Sequence, residues 1–114
     1  ATSIAEGMGA ECIVHIDKGY PYLENDPELT ANSRALAEDY MGEENVVDLP
    51  IWMGAEDFSY YSHEIPACFY RLGTRNEAKG ITSYVHTPTF NIDENALEIG
   101  SGLMAWIALN SLKN

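Results

Sequence analysis

The chain has 114 residues, 46% of them apolar, with eighteen acids against six bases and a formal charge of -12. One domain's worth of chain with that apolar share excludes a disordered composition. The acidity excludes the basic footprint that nucleic acid or an anionic membrane surface requires, and no apolar run approaches the ~20 residues of a membrane span.

Ala1 to Met8 reads as the tail of a helix already under way, so the natural N-terminus is expected upstream. No signal peptide is visible, and a cytoplasmic protein is expected. Residues 11–17 alternate, with Cys12, Val14 and Ile16 on one side and Glu11, Ile13, His15 and Asp17 on the other. That spacing predicts a half-buried strand with one wet face. Gly19-Tyr20-Pro21 ends it, and residues 22–25 read as a connector.

Asp26-Pro27 predicts a helix start, with Asp26 as the N-cap and the fixed φ of proline suited to the first helical position. Leu29, Ser33, Leu36, Ala37, Tyr40 and Met41 form its inner stripe, and Gly42 is placed to terminate it. Val46 to Leu49 reads as a short strand closed by Pro50, and Met53 to Phe58 as a turn into a short helix through about His63. Cys68 to Gly73 reads as a further strand, and residues 74–85 as a loop. Asp93 is expected to cap a long helix to about Leu112. That helix is apolar on most sides, with a narrow stripe of Glu94, Glu98, Ser101, Ala105 and Ala108, so it is expected to be covered by further chain or by a partner. Helix and strand alternate from Asp26 onward, which predicts an α/β layer with a largely parallel sheet. Cys12 and Cys68 read as buried thiols rather than a CxxC pair.

Three histidines are present. His15, between Glu11 and Asp17, fits a solvated surface imidazole, and His63 fits the C-terminal end of a short helix, where a cation favours the dipole. His86 differs: it lies on a loop made rigid by Thr87-Pro88, just before a helix. A neutral imidazole held in that way suits a metal, but zinc needs three or four ligands, and no HxxxH, HExxH or CxxC spacing supplies them. His86 is therefore open to two readings, a loop histidine or one ligand of a larger site. Gly54-Ala55-Glu56-Asp57-Phe58 is open in the same way. Its two acids fit helix N-terminal charge, or the lining of a pocket whose backbone N–H groups face a substrate carboxylate. There is no GxSxG elbow and no glycine-rich phosphate loop.

Met53-Gly54-Ala55-Glu56-Asp57-Phe58-Ser59-Tyr60-Tyr61, Ile65-Pro66, Phe69 to Gly73, His86-Thr87-Pro88 and Phe90-Asn91-Ile92-Asp93-Glu94 occur in a fixed order. In that order they resemble the C-terminal part of the metal-dependent amidohydrolases and peptidases of clan MH, which include aminoacylase, hippurate hydrolase, the auxin-conjugate hydrolases and carboxypeptidase G-like enzymes. Gly19-Tyr20-Pro21 and Asn25-Asp26 fit the passage from lid to catalytic domain, so the resemblance covers essentially the whole chain. It implies an incomplete α/β/α catalytic layer over residues 22–114, preceded over residues 1–21 by the last helix end and strand of a lid or dimerisation domain.

The resemblance further implies that His86 is the last ligand of a site holding two zinc or manganese ions. Gly54, Ala55, Glu56 and Asp57 would lie at the substrate end of the pocket. Thr87 stands where a serine is more usual. The remaining ligands and a glutamate general base have no counterpart here, and Glu43-Glu44 stands in the wrong place for the paired glutamates. No catalytic residue is therefore assigned in this chain. Alone it is expected to be inactive, with no metal necessarily bound, while its parent hydrolyses an N-acyl amino acid and dimerises through the lid. The alternatives are a dipeptidase or carboxypeptidase of the same family, or a non-enzymatic acidic interaction module.

Overall fold

The computed structural model describes residues 1–112. They form the helices α1 (Thr2–Gly7), α2 (Pro27–Met41), α3 (Ser59–Glu64) and α4 (Asn95–Ser111), with a 3₁₀ turn, Glu43–Asn45, behind α2. The start of α2 follows its local sequence. Asp26 is extended, its Oδ1 accepts from the Leu29 N–H at 2.8 Å, and Pro27 opens the first turn. At the other end the Gly42 N–H donates to the Glu38 carbonyl, and Gly42 turns the chain away at φ 91°, where a side chain would be strained. On the outer face Arg34 pairs with Glu38 at 2.8 Å and with Asp48 at 2.7 Å, which ties the segment after the 3₁₀ turn back to α2.

α2 packs against α4. Gly102 makes this approach possible, because a Cβ there would collide with the Tyr40 hydroxyl. Gly100 does the same for Leu72, whose Cδ2 would lie 2.5 Å from an added Cβ. Each glycine costs a helix interior ~1 kcal/mol, so the two serve contact rather than helicity. The Tyr40 and Trp106 rings meet with centroids 6.3 Å apart, and Leu103 and Ala96 are buried. The remaining apolar faces of α4 stay open, with Leu97, Ile99, Met104 and Leu109 all exposed.

The expected α/β layer with parallel strands is not found. Among the described residues there is no named strand and no sheet, and the β pairing is one isolated antiparallel bridge, Asn76 to Ile81. The segments 11–17, 46–49 and 68–73 form no ladder. The physical reason is that alternation specifies which side chains share a face, whereas a strand exists only if a neighbouring backbone lies about 4.8 Å away to take up its N–H and C=O groups. These segments have no such neighbour, and the face marked for burial at Val14 and Ile16 is exposed. Only residues 67–69 find a substitute. The Asp26 N–H donates to the Ala67 carbonyl at 2.8 Å. The Asn25 side-chain amide then donates to the Phe69 carbonyl at 2.9 Å and accepts from the Phe69 N–H at 2.8 Å. One side chain thereby makes the two bonds that a strand partner would make.

The molecule is open. Its radius of gyration is 20.7 Å, against about 13 Å for a compact chain of this length. The buried apolar residues are Ala37, Ala67, Ala96 and Leu103. Cys12 and Cys68 are free and half-buried. Among the described residues no helix is long and apolar enough to cross a membrane.

Candidate functional site

His86 sits on a loop whose two ends are pinned together. At one end Asn76 and Ile81 exchange both backbone hydrogen bonds, at 2.9 and 2.8 Å, around a turn closed by Gly80 at φ 70°. At the other end the Asp93 N–H donates to the Thr74 carbonyl at 2.9 Å. The Asp93 carboxylate then accepts from Lys79 Nζ at 2.7 Å and from Asn76 Nδ2 at 2.5 Å. Asn76 Oδ1 accepts in turn from the Lys79 N–H at 3.2 Å. Asn76 therefore touches both ends of the loop, through its backbone and through its side chain. The donors from Lys79 and Asn76 hold the Asp93 carboxyl down to about 2, well below its ordinary 3.8. Asp93 was expected to cap the long helix. It contributes through a weaker 3.3 Å bond from the Asn95 N–H, and α4 begins two residues later, at Asn95.

Inside the loop, Thr87 Oγ1 donates to the Tyr84 carbonyl at 2.7 Å, the Phe90 N–H donates to the Thr87 carbonyl at 3.1 Å, and Ser83 and Thr89 share a hydroxyl bond of 2.8 Å. His86 stands within this frame at φ 63°, the non-glycine residue in the left-handed region among those described. That conformation costs roughly 1–2 kcal/mol for an L-residue, although histidine tolerates it better than most. The imidazole is exposed.

The second candidate segment is built around α3. Glu56 Oε1 accepts from the Phe58 N–H at 3.1 Å, and the Glu56 carbonyl accepts from the fully buried Ser59 hydroxyl at 2.6 Å. Glu56 thus satisfies donors at the start of α3, as helix N-terminal chemistry requires. Phe58 anchors the turn against Tyr61 and Phe69, at centroid distances of 5.6 and 5.5 Å. Gly54, Ala55 and Asp57 are exposed. Trp52 folds over Gly54 so closely that an added Cβ would lie 2.8 Å from the indole, and the Arg71 guanidinium sits 4.4 Å from the centre of that ring.

The other histidines stand apart. His15 pairs with Asp17 at 2.9 Å on the surface. His63, in the last turn of α3, donates Nε2–H to the Tyr22 carbonyl at 2.8 Å and meets the Tyr22 ring edge-on. It borders an open groove of about 310 Å³ with Glu24, Asp26 and Pro66, which includes neither His86 nor residues 54–57. Among the described residues no three His, Cys, Asp or Glu side chains come together to hold a metal. The donor set fits one ligand of a metal site, supplied by His86, and not a whole site. The Asn76 link escaped the sequence reading. Its available signal was the turn chemistry of Asn76 and Gly80, four residues apart and bracketing Lys79.

The sequence profile of the peptidase family M20/M25/M40 matches residues 5–110. The chain is 38% identical over 89 residues to the IAA-amino acid hydrolase ILR1-like 6 of Arabidopsis thaliana, covering 78% of this chain and 19% of that protein. It is 40% identical over 101 residues to an uncharacterized hydrolase of Staphylococcus aureus, 85% of this chain and 25% of that protein. It is 34% identical over 109 residues to thermostable carboxypeptidase 2 of Saccharolobus solfataricus, 95% of this chain and 27% of that protein. The chain thus spans about a quarter or less of the length of these curated relatives. No solved structure gives a significant match.

Proposed function

The chain belongs to the peptidase family M20/M25/M40, and from that membership we propose that the whole protein hydrolyses the amide bond of an N-acyl amino acid with the help of divalent metal. In this proposal His86 is one metal ligand, and residues 54–57 face the substrate. The observation that carries it is the conformation of His86: an exposed imidazole held at φ 63° on a loop tied at both ends. Strain of this kind gathers where a side chain must be aimed. A bound zinc or manganese ion would supply Lewis acidity and lower the pKa of water.

The contribution of this chain is to hold and orient. The His86 residue is exposed, and the Tyr84–Thr87 bond fixes the turn around it. Glu56 is engaged at the start of α3, so of the two acids Asp57 is the one left to face a ligand. The remaining ligands and the general base would come from the rest of the protein, and residues 1–21 would end its lid domain. The names of the relatives support two substrate classes, an amino acid conjugate and a peptide C-terminus.

The test uses the whole protein with bound metal and a panel of N-acyl amino acids, dipeptides and longer peptides. Turnover is expected on the N-acyl amino acids, and turnover confined to dipeptides or longer peptides would replace that substrate class. The H86A variant should lose a metal equivalent and at least about a hundredfold in kcat/KM, because groups one step further from a metal already cost ten- to a hundredfold. Unchanged metal content in H86A would remove the ligand assignment, and no turnover on any member of the panel would remove the activity.

A further inference from the structure

We propose that Asn76 and Lys79, acting through Asp93, are positioning residues that set where His86 stands. This deepens, and rests on, the assignment of His86 as a ligand. Residues 82–92 form a loop whose own hydrogen bonds all run between neighbours within it, and its imidazole lies exposed near the middle. Such a loop presents a ligand in one place only if both of its ends are fixed relative to each other. The structure fixes them through one side chain. The Asn76 backbone holds Ile81, where the loop begins, and its amide nitrogen holds the Asp93 carboxylate, where the loop ends. Its amide oxygen meanwhile fixes the Lys79 N–H, and the Lys79 ammonium reaches the other carboxylate oxygen at 2.7 Å.

The arrangement is built rather than incidental. The Asp93 side chain is only 13% exposed, and both of its oxygens are engaged by donors from the same turn. A charged lysine and a neutral amide on one carboxylate form a charge-assisted pair with fixed geometry. The Asp93 N–H is also bonded to Thr74, so the residue two positions before α4 is clamped from backbone and side chain together. None of these groups touches His86. They act through the position of the loop, and the readout must be the metal site itself.

The experiment titrates cobalt(II) into the metal-stripped whole protein and follows visible absorption, with kcat and KM measured on the reloaded enzyme. N76A is expected to weaken cobalt affinity about tenfold, the lower end of the range for groups behind a ligand. It should also shift the absorption bands and lower kcat with little change in KM. K79A removes a half-exposed side chain and should weaken cobalt affinity by less than N76A does. K79R, which keeps the charge, should restore affinity and spectrum. Wild-type affinity and spectrum in both N76A and K79A would overturn the proposal. So would a K79A loss that K79R fails to recover. H86A, run in parallel, separates the two ideas: if it leaves cobalt binding intact the ligand assignment fails, and if it abolishes binding while N76A and K79A both keep wild-type affinity and spectrum only the positioning role fails.

Discussion

At the scale of single residues, sequence and structure agree where the chemistry is local. Asp26 and Pro27 start α2 and Gly42 ends it, because capping, fixed φ and left-handed tolerance are decided within four residues. His86 could be singled out from Pro88 and the following helix, although its positive φ could not be read from those neighbours. Asp93 shows the limit. Its acidity suggested a helix cap, but its main partners, Lys79 and Asn76, lie 14 and 17 positions away in a segment with no periodic pattern. The same contacts give a pH prediction. The Asp93 carboxyl is lowered to about 2 in the folded chain, from 3.8. A lowered carboxyl stabilises fully above its unfolded pKa, and that contribution disappears as pH falls toward the folded one. In the whole protein, wild type should therefore be more resistant to denaturant than D93N at pH 6, and the gap should narrow steadily from pH 5 to pH 3. A gap that stays constant or widens in acid would contradict the assignment.

At the scale of elements, the helices were legible and the strands were not. A helix satisfies its own backbone, so α2 follows from spacing and its cap, and α4 from its apolar spacing without one. A strand borrows its partner from elsewhere in space, and alternation at residues 11–17 cannot provide one. The glycines of α4 were also opaque. In a helical pattern Gly100 and Gly102 read only as weak points, and their use becomes visible once Leu72 and Tyr40 lie across them. G102A sets two effects against each other. Helix propensity gains ~1 kcal/mol, while forcing Tyr40 away from α4 costs roughly 1–3 kcal/mol, as overpacking usually does. The second effect should win, with a net loss of about 1 kcal/mol in denaturant unfolding of the whole protein. Because the clash is with the Tyr40 hydroxyl, Y40F/G102A should recover part of it, a coupling that independent sites would not show. Equal midpoints for G102A and wild type would mean that the α2–α4 contact is looser than the structure has it.

At the scale of the whole molecule, composition and architecture pull apart. An apolar share of 46% is ample for a core, yet buried apolar residues are limited to Ala37, Ala67, Ala96 and Leu103 among those described. The accessible surface is 9578 Å², against about 6,200 Å² for a compact chain of this mass. Ile51 and Met53 are more than nine-tenths exposed, and Leu97, Ile99, Met104 and Leu109 of α4 are exposed as well. Cooperative unfolding requires apolar area that is lost all at once, and four helices touching mainly through α2 and α4 have little to lose. The 114-residue chain, expressed by itself, should therefore melt without a sharp transition and bind a hydrophobic dye at room temperature. Calorimetry should find far less than the ~80 kcal/mol that a compact domain of this length absorbs. A single sharp endotherm near that enthalpy would mean that the exposed apolar faces close on one another in solution.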